Sequence, residues 1–342
     1  MVLPAPAAVR PRRGRPGLRA TGLVASLLLL ATVLVLSIAV GASALPLHDV
    51  WQGLVQADSP AYAVVHRMRL PRTLLGLLAG TALGLAGAVM QALTRNPLAD
   101  PGLLGINAGA SAAVATAAAL LPLTGFGGYI WFALAGAAAV TALVYTVGGG
   151  RGATPARLAL AGAALNATLY SYVNAMMLLS SASLERMRFW TVGSLASADG
   201  ATVLRVLPFV AAGVVIALAV ARPLNALALG DDAARSLGAR PAAIRVAVIV
   251  AVTLLCGAAT AACGPIVFVG LLVPHLVRAL TGPDLRWLLP YCAVLAPVLL
   301  LGADVLGRLL GRPGELQVGI VTAVLGGPLF LYLVVRRPVA RK

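Results

Sequence analysis

Ten apolar runs, separated by short connections rich in Arg, Gly and Pro, leave this chain few ways to fold. They cover about residues 23–45, 74–93, 103–121, 126–147, 158–180, 203–221, 243–262, 266–280, 287–303 and 317–335. Most reach the roughly 20 residues that a helix needs to cross a hydrocarbon core of about 30 Å. The eighth is shorter and holds Pro274, so it is expected to pack inside the bundle, where other helices surround its broken backbone. The composition agrees: 60% of the 342 residues are hydrophobic and 11% charged, against roughly 45–50% and about 25% in a soluble domain. A soluble fold of this size has no interior large enough for so much apolar surface. The expected class is an all-α polytopic membrane protein of about ten transmembrane helices. A disordered chain is excluded. So is a nucleic-acid-binding domain, despite a net charge of +16, because the charge lies in short clusters between apolar runs.

Those clusters orient the chain. An even number of crossings puts both ends on one side. Arg10, Arg12, Arg13, Arg15 and Arg19 crowd one end and Arg336, Arg337, Arg341 and Lys342 the other. The positive-inside rule makes both ends cytoplasmic. With that assignment 18 of the 26 basic residues fall inside and 8 outside. The expected organisation is a cytoplasmic basic tail over 1–20, a single transmembrane domain over 21–336 and a cytoplasmic tail over 337–342. The first run, with Arg12-Arg13 before it and Ala42-Ser43-Ala44 at its end, has features of an export signal. Its apolar core is longer than the roughly 7–15 residues of such signals, so it is read as a retained helix.

Catalytic chemistry finds no footing. Lys342 is the only Lys, so a glycine-rich phosphate loop with an internal Lys is absent and no ATP is hydrolysed by that route. Cys256, Cys263 and Cys292 lie in apolar runs, and His48, His66 and His275 are scattered; no metal site is expected. The apolar runs, bounded as above, contain no Asp or Glu, and proton or sodium relays generally need intramembrane carboxylates. That argues against an ion-coupled secondary transporter, the alternative reading, and leaves a bundle that borrows energy from another protein. Asn107, Asn166 and Asn174 are candidates for a pore lining or for interhelical hydrogen bonds. Arg67, Arg69, Arg72, Arg186, Arg188, Arg308 and Arg312 lie on the expected outer face. They either anchor helix ends by snorkelling or meet an acidic partner through guanidinium–carboxylate forks. On the inner face, residues 229–240 form a short mixed-charge segment between Pro223 and Pro241.

An internal repeat completes the residue-level picture. Asn96-Pro97-Leu98-Ala99-Asp100-Pro101-Gly102-Leu103-Leu104 follows the second run, and Gly264-Pro265-Ile266-Val267-Phe268-Val269-Gly270-Leu271-Leu272 follows the seventh. Both read x-Pro-x-x-x-x-Gly-Leu-Leu, on opposite faces of the expected topology. This is the pattern of an inverted repeat, helices 2–5 against 7–10.

Three stretches together resemble the FecCD-type permeases of ABC importers for iron–siderophores, haem and cobalamin. They are Arg69-Leu-Pro-Arg-Thr73 through Gly87-Ala-Val-Met-Gln91 to Arg95–Gly105; Gly264–His275 with Arg278; and Ala303-Asp304, Arg308 and Glu315–Ala323 with Gly327-Pro328. Phe189-Trp190 with Gly193-Ser194-Leu195, and Leu229–Gly238, are similar to further family segments. The resemblance implies a permease subunit of a binding-protein-dependent importer, with a ferric-siderophore or related iron chelate as cargo, in the bacterial plasma membrane. Its partners would be a second permease subunit, two ABC ATPase subunits that bind ATP and Mg, and an extracytoplasmic solute-binding protein; the chain itself would carry no cofactor and no catalytic residue. By the same resemblance Arg69, Arg72 and Arg308 dock the binding protein. Asp231, Asp232, Arg235, Ser236, Leu237 and Gly238 couple to the ATPase, and Asn96 and Leu98 form a cytoplasmic gate. A second gate is a Thr-Ser pair before an Arg in the cobalamin branch; Pro155-Ala156 precede Arg157 here.

Overall fold

The structure, a computed structural model, describes residues 16–42, 45–121, 128–150 and 154–336. Of the expected tails, 1–20 and 337–342, residues 1–15 and 337–342 lie outside the described residues, and residues 16–20 form the start of the first helix.

The described chain is helical and contains no strand. Its helices in order are α1 (Pro16–Ala39), α2 (Leu47–Val55), α3 (Tyr62–Val64), α4 (Leu70–Thr94), α5 (Ile106–Leu120), α6 (Tyr129–Val147), α7 (Pro155–Leu179), α8 (Ser181–Trp190), α9 (Gly200–Ala219), α10 (Ala221–Leu227), α11 (Asp231–Ser236), α12 (Pro241–Cys263), α13 (Val269–Thr281), α14 (Leu285–Leu310) and α15 (Val318–Arg336). A π-turn, Val65–Arg69, joins α3 to α4 as one continuous rod. Six of these are long and apolar enough to cross a membrane: α1, the α3–α4 rod, α6, α9, α12 and α14. α5, α13 and α15 are shorter apolar helices, and α7 is long with a more polar surface. Together they are the ten expected helices; α2, α8, α10 and α11 are connectors.

α4 is the axis of the bundle. It is buried on almost every side, and its glycines decide what packs there. A methyl group on Gly80 would lie 2.5 Å from Pro297, one on Gly84 2.5 Å from Ala296, and one on Gly87 against the Gly270 carbonyl. This column of hydrogens lets α14 and α13 approach backbone to backbone, the packing mode of membrane helices, which gain little from apolar burial against lipid.

The packing follows the repeat. α4 packs on α12, α13 and α14, while α12 packs on α4, α5 and α6. That is the exchange expected if α4–α7 and α12–α15 are related by an approximate two-fold axis. α4 and α12 are the second and seventh of the ten helices, an odd separation, so the two units are inverted. Both proline–glycine connectors turn with positive φ: Arg95 at 52° and Gly105 at 75° in the first, Gly264 at 74° and Phe268 at 69° in the second. Each connector takes up residues that would otherwise lengthen the next helix, which is why α5 and α13 are short. α13 keeps Pro274 inside and is buried along its first six residues, as expected.

One boundary moves in a way that matters. The ninth run was expected to end at 303; α14 continues to Leu310, and Asp304 and Arg308 lie within it, fully buried. The expectation that no carboxylate sits inside a spanning segment is therefore corrected. Asp304 escaped it because hydropathy falls at the Asp while the helix, its charge neutralised by arginines, runs on.

Candidate functional site

At one end of the bundle, arginines gather around the end of α1. The last carbonyls of a helix have no partner within it and carry partial negative charge. Here guanidinium groups receive them. Arg308 donates to Ser37 O at 2.9 Å and Val40 O at 2.6 Å, Arg69 to Ile38 O at 2.9 Å and Ala39 O at 2.8 Å, and Arg312 to Gly41 O at 2.9 Å. Asp304 holds the other side. Arg72 forks onto its carboxylate through Nε at 3.1 Å and a terminal nitrogen at 2.7 Å, and Arg308 reaches the second oxygen at 2.7 Å. Arg72 also bonds Glu315 at 2.7 Å.

The expected docking residues Arg69, Arg72 and Arg308 are thus brought together, as anticipated, from opposite ends of the chain. Their side chains face inward: Arg308 is 1% exposed and Arg69 5%, and Arg72 is engaged by two acids. Arg67 and Arg312, by contrast, are exposed at the same end. Asp304, Glu315 and Ser37 were not foreseen as members of this cluster. The spacing Asp304–Arg308, one helical turn, carried the signal.

At the opposite end lies the expected coupling segment. Gly230 at φ 113° and Gly238 at φ 80° bracket α11, and a side chain at either would have space but a strained backbone. Asp231 and Asp232 open the helix, where its dipole favours anions. Asp232 pairs with Arg235 at 2.7 Å, and the Ser236 hydroxyl donates to Ala233 O at 2.9 Å. Asp231 binds Arg245 of α12 at 2.6 Å and meets Arg95 at 3.4 Å. α11 is thereby tied to the first connector, while Leu229 and Leu237 project outward, Leu237 with 67% of its surface exposed.

Arg95 also brings the gate candidates to this end. Asn96 accepts from the Leu98 amide at 2.9 Å, closing a tight turn. Asn96 lines a cavity of about 260 Å³ together with Ala99, Leu104, Ala156 and Leu158, so the position that departs from the cobalamin-branch pattern sits across from Asn96. Leu98 is partly exposed beside it.

Between the ends, the polar residues tie helices together. Thr260 of α12 donates to Asn107 of α5 at 2.8 Å, and Asn166 of α7 donates to Gly102 O at 3.1 Å. Gln91, buried in α4, donates to Leu271 O at 3.1 Å at the start of α13. Asn174 stays exposed. Of the three asparagines, two therefore serve interhelical bonding. No group of three or more His, Cys, Asp or Glu that could hold a metal occurs among the described residues.

Comparison with known proteins agrees with this arrangement. The family model of the FecCD transport family matches residues 28–336. The ferric enterobactin transport system permease protein FepD of Escherichia coli is 46% identical over 93% of this chain and 96% of its own length. The Fe(3+)-citrate import system permease protein YfmD of Bacillus subtilis is 41% identical over 87% of this chain and 89% of its own. The hemin transport system permease protein HmuU of Yersinia pestis is 38% identical over 91% and 94%. Among solved structures, a metal-chelate type ABC transporter in an inward-facing conformation superimposes with a TM-score of 0.81 at 28% identity, covering 93% of this chain and all of that one. A family model that matches residues 28–336 and relatives 38–46% identical along nearly their whole length show that the chain belongs to the FecCD transport family of ABC transporter permease subunits.

Proposed function

We propose that this chain is the membrane permease of a binding-protein-dependent importer that carries a ferric-siderophore or related iron chelate into the cytoplasm. The observation that carries this reading is α11: a short helix set between two positive-φ glycines, tied to the gate connector by Asp231, with Leu237 projecting from the bundle. An apolar side chain that the chain itself does not cover fits a groove on an ATPase partner. Motion of α11 would reach Asn96 through Arg95. ATP and Mg would then act in the partner, a second permease subunit would complete the pathway, and this chain would only alternate access. Both termini and residues 222–245 would face the cytoplasm and residues 46–73 the outside. A common side for the start of α1 and residues 222–245 is supported by α14, whose Tyr291 donates to the Arg19 carbonyl and whose flanking Asp284 accepts from Asn225; the excess of Arg there supports the cytoplasmic assignment.

The opposite end would receive the binding protein. An acidic partner would first meet Arg67 and Arg312. It would reach Arg72 by displacing Glu315, the more exposed of the two acids that hold it. Asp304 does not act as an ion-coupling carboxylate in this reading, because two arginines neutralise it.

The relatives named above transport ferric enterobactin, Fe(3+)-citrate and hemin, which supports an iron-bearing cargo. Uptake competition in a strain lacking this chain, restored by it, tests the proposal with labelled ferric-catecholate, ferric-citrate, haem and cobalamin. Restoration of an iron chelate alone supports it. Restoration of cobalamin alone, or uptake that persists without the ATPase partner, overturns it.

A further inference from the structure

α6 and α12 both span the bundle, and their shared outer face is not flat. Ala138 and Ala142, one turn apart on α6, leave a groove of about 370 Å³ against Val246, Ile249 and Val250 of α12. Ala138, Ala142, Val246 and Val250 are exposed, so the groove opens away from the helical core. Its lining is almost wholly apolar. Towards the α11 end it adjoins a second pocket of about 90 Å³: Tyr145 and Ile249 line both. This second pocket ends in three charged side chains, Arg95, Asp231 and Arg245.

The charges there do not cancel. Two guanidinium groups face one carboxylate, and each meets Asp231 through a single terminal nitrogen, at 3.4 Å and 2.6 Å. A guanidinium carries five N–H donors, more than a shared carboxylate can accept. Both side chains keep surface, 49% for Arg95 and 26% for Arg245. An apolar channel along a membrane wall, ending in excess positive charge, is complementary to one molecule class. Its tail fills the channel, and its phosphate takes a guanidinium pair.

We propose that the α6–α12 groove binds one anionic phospholipid, with an acyl chain along Ala138 and Ala142 and the phosphate on Arg95 and Arg245. The bound phosphate competes with Asp231 for the same two side chains. Asp231 opens α11, so lipid occupancy loosens the segment that the functional reading assigns to the ATPase. The binding site itself stands without that reading, because it rests on the groove and the arginines alone.

The test uses the full chain, purified and examined by native mass spectrometry with phosphatidylglycerol, with phosphatidylcholine of the same acyl chains, and with inorganic phosphate. One phosphatidylglycerol per chain is expected to be retained about tenfold more strongly than phosphatidylcholine, whose phosphate is the same but whose quaternary ammonium sets a further positive charge beside Arg95 and Arg245, with no retention of inorganic phosphate. Arg245→Gln removes the headgroup contact and Ala142→Phe fills the groove without touching a charge; each is expected to abolish the preference. Ala138→Leu substitutes for Ala142→Phe if that variant fails to fold, as read by its elution profile. Equal retention of the two lipids overturns the proposal, as does retention unchanged by both variants. Inorganic phosphate held as tightly as the lipid overturns it too. So does a disulfide between two chains carrying Ala142→Cys, since that would place a second copy in the groove.

Discussion

The Arg72 guanidinium lies 2.7 Å from the Asp304 carboxylate, joining α4 to α14 across 232 positions of sequence. Asp304 has no exposed surface. A buried carboxylate of this kind costs several kcal/mol unless it is paired, and removing one partner costs more than the pair contributes. Asp304→Asn should therefore destabilise the bundle by about 3–5 kcal/mol, because Arg308 loses its anion while remaining buried and Arg72 keeps only Glu315. Replacing Arg72, Asp304 and Arg308 together with apolar residues of similar size should cost less than Asp304→Asn alone. Denaturant midpoints in detergent for the two variants check this; a single variant as stable as the parent rules it out.

Helix contact along α4 gives a second expectation. At Gly87 an added methyl group would collide with the Gly270 carbonyl, whereas at Gly302 of α14 it meets nothing within 4 Å. Gly87→Ala should cost at least about 1–3 kcal/mol through overpacking, and Gly302→Ala should gain up to about 1 kcal/mol from helix propensity. Thermal unfolding of the two variants side by side reads the sign of each change.

Sidedness is open to labelling. The native cysteines are buried, so a Cys-free background perturbs little of the surface. Asp58→Cys should react with a membrane-impermeant maleimide on intact cells, and Ser236→Cys only after lysis. Reaction of Ser236→Cys on intact cells would reverse the proposed orientation.

Leu237→Asp should separate docking from coupling. A charge placed in an interface of this kind costs several kcal/mol, so substrate-stimulated ATP hydrolysis by the assembled complex should be lost while binding-protein association is kept. Full stimulation in this variant would put the contact elsewhere.

At the other end, Arg67→Glu and Arg312→Glu should slow association with the binding protein and weaken its dependence on salt, since rim charges act chiefly on the encounter rate. Arg308→Glu should instead reduce the yield of folded protein, because its carboxylate would lie beside Asp304 and leave the α1 carbonyls unserved. Association rates at two ionic strengths, together with yields, discriminate the two effects. A well-folded Arg308→Glu protein that has lost only docking would make Arg308 a direct contact.

Much of this protein is legible in its order of residues, and the reason is the solvent. A bilayer offers no partner for a bare backbone, so each long apolar run becomes a helix whatever surrounds it. Hence the ten helices, the short α13 with its Pro274, and the two proline–glycine connectors follow from local pattern. The tertiary structure decided what depends on pairs distant in sequence. Asp304 reads as the end of a helix until Arg72, 232 residues earlier, supplies the charge that keeps it inside. Arg69 and Arg308 read as free cations for a partner until the carbonyls of α1 are placed against them. Asn107 reads equally as a pore lining or an interhelical bond until Thr260 reaches it from α12. Hydropathy is a property of one segment, while burial of a charge is tolerable only when an opposite charge from elsewhere arrives, and only folding brings the two together.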